Sequence, residues 1–124
     1  PNHCVVYTGT HDNDTTRGWL DCASPEDLEF AMEYLGLEDL KEGNWAFIRA
    51  ALSSVADLAI VPFQDYLDLG SEARINTPST VGGTNWRWRM AKDCTTKKLA
   101  KKMARLATIY GRARELGGNS HADA

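Results

Sequence analysis

A chain of 124 residues with 43% hydrophobic and 25% charged residues has the composition of an ordinary globular domain, which excludes disorder throughout. It holds no run of about 18 apolar residues able to span a bilayer and no series that reads as a secretory leader, so a cytoplasmic location is expected and no membrane partner. The net charge of -3 argues against a general nucleic-acid binder, and Cys4, Cys22 and Cys94, far apart and without a CxxC pair, argue against zinc or a redox dithiol.

The chain begins Pro1-Asn2-His3 and enters an apolar run almost at once, which reads as the tail of something longer. Residues 4–7 are β-branched and aromatic and fit a buried strand. Residues 8–16 have almost no apolar side chain to bury and must be loop. That loop carries His11, Asp12 and Asp14 just past a strand end, where α/β proteins hold reactive groups because a rigid strand aims them. Thr, Asn and Asp also serve as turn and N-cap residues, which is the plainer reading of each one singly. Capping, however, does not require His beside Asp. Asp12-Asn13-Asp14 resembles the opening of a calcium loop, but Arg17 and Ala23 stand where its glycine and glutamate belong, so no metal is expected.

Ser24-Pro25-Glu26-Asp27 supplies an N-cap, a proline at the first helical position and acids in the first turn. A helix therefore starts there, with Leu28, Ala31, Met32 and Leu35 on one face and Gly36 as its stop. After a charged connector, Asn44 is placed to cap a second helix in which Trp45, Ile48, Ala51, Leu52 and Val55 line up. Residues 58–61 form a continuous apolar run ended by Pro62, suited to a strand buried on both faces. Two strands separated by helices should be parallel, since no hairpin spans such a connection.

Residues 62–94 are rich in polar and turn residues, with at most a short helix near residues 63–69. A long irregular segment studded with Trp and Arg reads as functional rather than disordered. Two groups stand out in it. Gln64-Asp65 with Arg74 and Asn76 follows the second strand; an Asp65 to Arg74 ion pair pinning the loop is an equal alternative to a site role for those two, and Asn76 is the better site candidate. Asn85-Trp86-Arg87-Trp88-Arg89, if extended, puts both indoles on one face. They then form a hydrophobic plug, the commoner role of Trp, or a platform for sugar rings or bases with Trp86 as its candidate.

The last helix is expected over residues 96–116, with Leu99, Met103, Leu106 and Tyr110 as its apolar stripe and Lys97, Lys98, Lys101, Lys102 and Arg105 mainly on other faces. Those lysines read as a solvated outer face and not a nucleic-acid site. Gly117-Gly118-Asn119 ends the helix, and residues 117–124 read as a frayed tail. The expected class is α/β, the last two βα units of a (β/α)8 TIM barrel, incomplete as a separate chain because each strand would keep a bare edge. Such edges predict self-association of an isolated piece.

The run YTGTHDNDTTRGW closely resembles the strand-end motif of the amylomaltases, the 4-α-glucanotransferases of glycoside hydrolase family 77. The resemblance continues through SVADLAIVPFQDYLDLGSEARIN and NWRWR and covers most of the chain. It implies a C-terminal part of a catalytic barrel over residues 1–124, retaining transfer of α-1,4-glucan segments to glucose or maltooligosaccharides, and no cofactor. It also implies that Asp12 is the transition-state stabiliser in the donor subsite, that His11 assists it, and that Asn76 lies at the substrate cleft. Asp14 and Trp86 join Asn76 as substrate-binding candidates. A carboxylate and an imidazole at a strand end can grip vicinal sugar hydroxyls, and those hydrogen bonds tighten as the ring flattens toward an oxocarbenium ion. The family's aspartate nucleophile and glutamate acid/base sit on earlier barrel strands, so the chain alone should be inactive. Two departures from the family appear: Ile75 replaces a common Met, and Thr77-Pro78-Ser79 stands where a Pro-Gly pair is usual. The alternative is a non-catalytic carbohydrate-binding or scaffold piece that would depend on Trp86 or Trp88 and ignore Asp12.

Overall fold

In the computed structural model, which describes residues 3–114, the chain opens with a three-residue strand, β1 (Val5–Tyr7), that pairs in parallel with β2 (Leu58–Ile60). The register sets Val5 opposite Leu58, Val6 opposite Ala59 and Tyr7 opposite Ile60. Between the strands run three helices, α1 (Thr16–Cys22), α2 (Pro25–Leu35) and α3 (Gly43–Leu52). After β2 come α4 (Phe63–Tyr66) and a 3-10 turn at Ser71–Ala73. The chain divides into two units, Pro1–Cys94 and Thr95–Ala124, and the described part of the second is the helix α5 (Lys97–Ile109) with its flanks.

The parallel pairing follows from connection length, as expected. The expected burial does not. Val5, Tyr7, Leu58 and Ile60 are each 38% exposed or more, because the sheet among the described residues has two strands and covers neither face fully. What core there is lies where α1 meets α3. Leu20, Ile48, Ala51 and Leu52 are buried there, and Ala56 and Ala73 are also buried. Trp19, though 39% exposed, packs edge-on against Phe47 at 5.8 Å between centroids, and Trp45 packs against Tyr66 at 5.8 Å.

Helix α2 has the predicted ends. Ser24 Oγ accepts from the Asp27 N–H at 3.2 Å, and Gly36 takes the left-handed conformation (φ 68°) that closes the helix. Three other expectations need correction. Helix α1 has no counterpart in the hydrophobic pattern, since at seven residues it is built on caps more than on an apolar stripe. Asn44 does not cap α3; it sits inside the first turn, 1% exposed, and its Nδ2 donates to the Asp65 carbonyl at 2.8 Å. Val55 falls beyond the end of α3 and is 74% exposed.

Helix α5 starts as expected, with Thr96 Oγ1 accepting from the Leu99 N–H at 3.1 Å, and its lysines are exposed. It ends at Ile109, earlier than the pattern implied. Gly111 adopts φ 69°, and the Arg112 N–H reaches back to the Ala107 carbonyl at 2.7 Å, a C-terminal closure that only a residue free to turn left-handed makes cheaply. The expected stop at Gly117-Gly118-Asn119 and the tail at 117–124 lie outside the described residues. No described helix is long and apolar enough to cross a membrane. The three cysteines form no disulfide.

Candidate functional site

The loops that leave the carboxyl ends of β1 and β2 lie side by side, because the strands themselves are paired. One buried carboxylate ties their roots together. Asp65, 2% exposed, accepts the Thr8 hydroxyl at Oδ2 (2.7 Å) and the Thr16 N–H at Oδ1 (2.9 Å). The second bond places a carboxylate at the N-terminus of α1, where the helix dipole favours it. Thr15, also buried, caps the same helix by accepting the Gly18 N–H at 3.1 Å. Gln64 is buried beside Asp65 and donates to the Ala73 carbonyl at 3.2 Å. With Asp65 engaged in this way, the alternative of an Asp65 to Arg74 ion pair is not realised.

Above these roots the two loops are joined again at their tips. The Asn76 N–H donates to the His11 carbonyl at 3.1 Å, and Asn76 Nδ2 donates to Asp12 Oδ1 at 2.9 Å. His11 Nε2 lies 3.3 Å from Asp12 Oδ2, so the carboxylate has a nitrogen neighbour at each oxygen. Both side chains remain about half exposed, at 52% and 53%. That leaves acceptor capacity on Asp12 open to another molecule.

Asp14 is placed differently. Its Oδ2 accepts the Ser71 hydroxyl at 2.7 Å and its Oδ1 the Thr15 N–H at 2.8 Å, which is the turn-and-cap role that Asp plays in loops. A cleft of about 340 Å³ opens at the strand ends, with Tyr7, His11, Asp14, Gln64, Asp65 and Arg74 in its lining. Asp12, Asn76 and Trp86 are not part of that lining.

The condition of an extended run from Asn85 to Arg89 is not met, since its first two residues lie in a turn. Trp86 has φ 61°, unusual for a bulky side chain, and its N–H donates to the Ile75 carbonyl at 2.6 Å. Alternation therefore does not decide where the indoles lie. Trp86 is 57% exposed and sits against His11, ring centroids 5.0 Å apart and tilted by 38°. Trp88 is half-buried.

Four of the five residues singled out from the sequence, His11, Asp12, Asn76 and Trp86, thus form one connected group, and Asp14 stands in a separate one. Sequence reasoning missed the hydrogen-bonding role of Ser71, whose hydroxyl gives no periodic signal. It also missed the fork that Arg74 makes to two main-chain carbonyls, through Nε to Asn76 at 2.7 Å and through Nη2 to Asp12 at 2.8 Å. Of the described titratable groups, Tyr66 stands out, its hydroxyl pushed up in pKa by burial.

An α/β chain whose polar groups gather on the loops after two adjacent parallel strands has the layout of the strand-end sites of α/β enzymes. The chain belongs to the 4-alpha-glucanotransferase family of glycoside hydrolases, family 77, whose model matches residues 1–95. It is 51% identical over 111 residues to the 4-alpha-glucanotransferase of Clostridium butyricum, covering 89% of this chain and 23% of that protein. It is 47% identical over 111 residues to the chloroplastic/amyloplastic 4-alpha-glucanotransferase of Arabidopsis thaliana, covering 87% and 19%. Among solved structures, the amylomaltase from Streptococcus agalactiae in complex with acarbose superposes with a TM-score of 0.86 at 31% identity, over 92% of this chain and 23% of that one. The chain thus spans between 19% and 23% of the length of these relatives.

Proposed function

We propose that this chain forms the last two βα units of the (β/α)8 barrel of a 4-α-glucanotransferase and completes its donor subsite. The observation that carries the reading is the hydrogen bond from Asn76 to Asp12, which joins the loops of two neighbouring strands at their carboxyl ends. A barrel enzyme builds its site from such ends. The acarbose held by the Streptococcus agalactiae amylomaltase supports an oligosaccharide ligand, here an α-1,4-glucan or maltooligosaccharide.

In the proposed reaction an aspartate outside this chain attacks the anomeric carbon while a glutamate, also outside it, protonates the departing glycosidic oxygen. The 4-hydroxyl of an acceptor glucose or maltooligosaccharide then displaces the aspartate, giving its proton back to the glutamate. Asp12 accepts hydrogen bonds from hydroxyls of the donor sugar, and His11 donates one. These bonds strengthen as the ring gains positive charge, so they lower the barrier more than they tighten ground-state binding. Asn76 holds the carboxylate for that task and borders the substrate. Asp14 lines the neighbouring cleft, and the free face of Trp86 offers apolar surface to a sugar ring. The chain supplies neither the nucleophile nor the acid, so by itself it has no turnover, and its open strand edges favour self-association.

Transfer from maltotriose, followed as released glucose and longer maltooligosaccharides, tests the reading. The complete transferase should be active and this chain alone inactive. Asp12→Asn in the complete protein should abolish transfer with little loss of stability, because the side chain is half exposed. Turnover that survives Asp12→Asn, with maltooligosaccharide binding dependent on Trp86 or Trp88, would instead establish a non-catalytic binding piece.

A further inference from the structure

Arg74 is half-buried, and its guanidinium donates to main-chain oxygens and not to a carboxylate. Nε donates to the Asn76 carbonyl at 2.7 Å and Nη2 to the Asp12 carbonyl at 2.8 Å. A guanidinium is a rigid planar fork, so bonds made from two of its nitrogens fix the separation of their acceptors as well as their presence. The acceptors here belong to the two residues whose side chains meet at the loop tips. With the Asn76 N–H bonded to the His11 carbonyl at 3.1 Å, the main chain on both sides of the Asp12–Asn76 contact is held.

We propose that Arg74 is a positioning residue for the transfer reaction, fixing the main chain of Asp12 and Asn76 so that the Asp12 carboxylate is aimed at the donor sugar. The inference rests on the reading of Asp12 given above. A purely structural role fits less well, because the Asp12 residue that Arg74 holds is itself exposed. Water can satisfy that carbonyl once the guanidinium is gone, so the fold loses little and the aim of the carboxylate is lost. Lysine is a poor substitute, since one ammonium presents no planar fork.

The test uses the complete transferase with maltotriose and compares Arg74→Ala, Arg74→Lys, Asn76→Ala, the Arg74→Ala/Asn76→Ala double variant and Asp12→Asn. Arg74→Ala should lower kcat on the order of 100-fold, the scale of a misplaced reacting group, while KM and melting temperature stay close to the parent values. Guanidinium ion added at millimolar concentration should restore part of that activity, and Arg74→Lys should restore little. The double variant should be no worse than the poorer single variant by more than about threefold, because both changes release the same carboxylate. Parent-like kcat in Arg74→Ala, a loss confined to KM, a loss that tracks unfolding, or fully multiplicative losses would each overturn the proposal. If Asp12→Asn also keeps its turnover, the reading of Asp12 itself fails; if Asp12→Asn is dead while Arg74→Ala is active, only the role of Arg74 does.

Discussion

Asp65 Oδ1 accepts the backbone N–H of Thr16 at 2.9 Å, and through that bond α4, the short helix after the second strand, caps the helix that follows the first. The other oxygen takes the Thr8 hydroxyl, so one buried carboxylate holds together the roots of both site loops. Asp65→Ala should cost about 3 kcal/mol, since it leaves a buried amide and a part-buried hydroxyl without their charged acceptor. Asp65→Asn should cost less, because the carboxamide oxygen still accepts one of the two bonds. Denaturant unfolding of the complete transferase measures both; an unchanged midpoint for Asp65→Ala would remove Asp65 from this role.

Gly18 is the point at which α1 comes closest to Asp14 and Ser71. A Cβ there would lie 2.5 Å from Ser71 Oγ and collide with the Asp14 carboxylate, two short side chains bonded to each other. Gly18→Ala gains roughly 1 kcal/mol in helix propensity but forces overpacking worth about 1–3 kcal/mol, so a net loss near 1 kcal/mol is expected. The same change made in a Ser71→Ala background should cost less, which unfolding of the single and double variants will show. Equal costs in both backgrounds would mean that the contact is relieved by another movement.

The parts of this structure that the sequence revealed are those written in local chemistry. Ser24-Pro25 and Gly36 mark the ends of α2 because caps act within one turn, and the strands and their parallel pairing follow from apolar runs and connection length. His11 and Asp12 stood out because capping does not call for His beside Asp, and Asn76 because of its place after the second strand and the family resemblance. What stayed hidden depends on partners distant in sequence. Asn44 looks like a cap until the Asp65 carbonyl, 21 residues on, is brought to it. Arg74 looks like an ion-pair partner for Asp65 until Asp65 is found engaged by Thr8 and Thr16. The Trp86 turn was missed because alternation presumes extended backbone, and φ 61° at a tryptophan is nothing a propensity scale expects. The stop of α5 at Gly111 goes unread, because the glycine run at residues 117–118 reads as its end.

Burial gives one pH prediction. Desolvation raises the Tyr66 pKa above the ordinary 10.0, so the folded state favours the neutral phenol. The unfolded chain releases this proton first as pH rises. The stability linked to Tyr66 is therefore fully present below pH 10.0 and is lost as pH climbs through the raised folded value. Tyr66→Phe should flatten that part of the alkaline stability profile without changing the profile near neutrality. A slope as steep as the parent's in Tyr66→Phe would assign the alkaline loss to other groups.

The indole of Trp86, set against the His11 ring at 5.0 Å, leads to the last prediction. The imidazole is about half exposed, and in the proposed site its nitrogen has to stay near Asp12 to reach the same sugar, so a flat neighbour that limits its rotation would have kinetic value. Trp86→Phe keeps a ring in that place and should retain most of the transfer activity. Trp86→Ala should lose about tenfold in kcat/KM, or near 1.4 kcal/mol, within the range for an aromatic contact. The decisive comparison is the same change in a His11→Ala background. If the indole acts through the imidazole, the loss shrinks there; if it persists undiminished, the exposed face of Trp86 acts on the sugar directly and His11 is merely its neighbour.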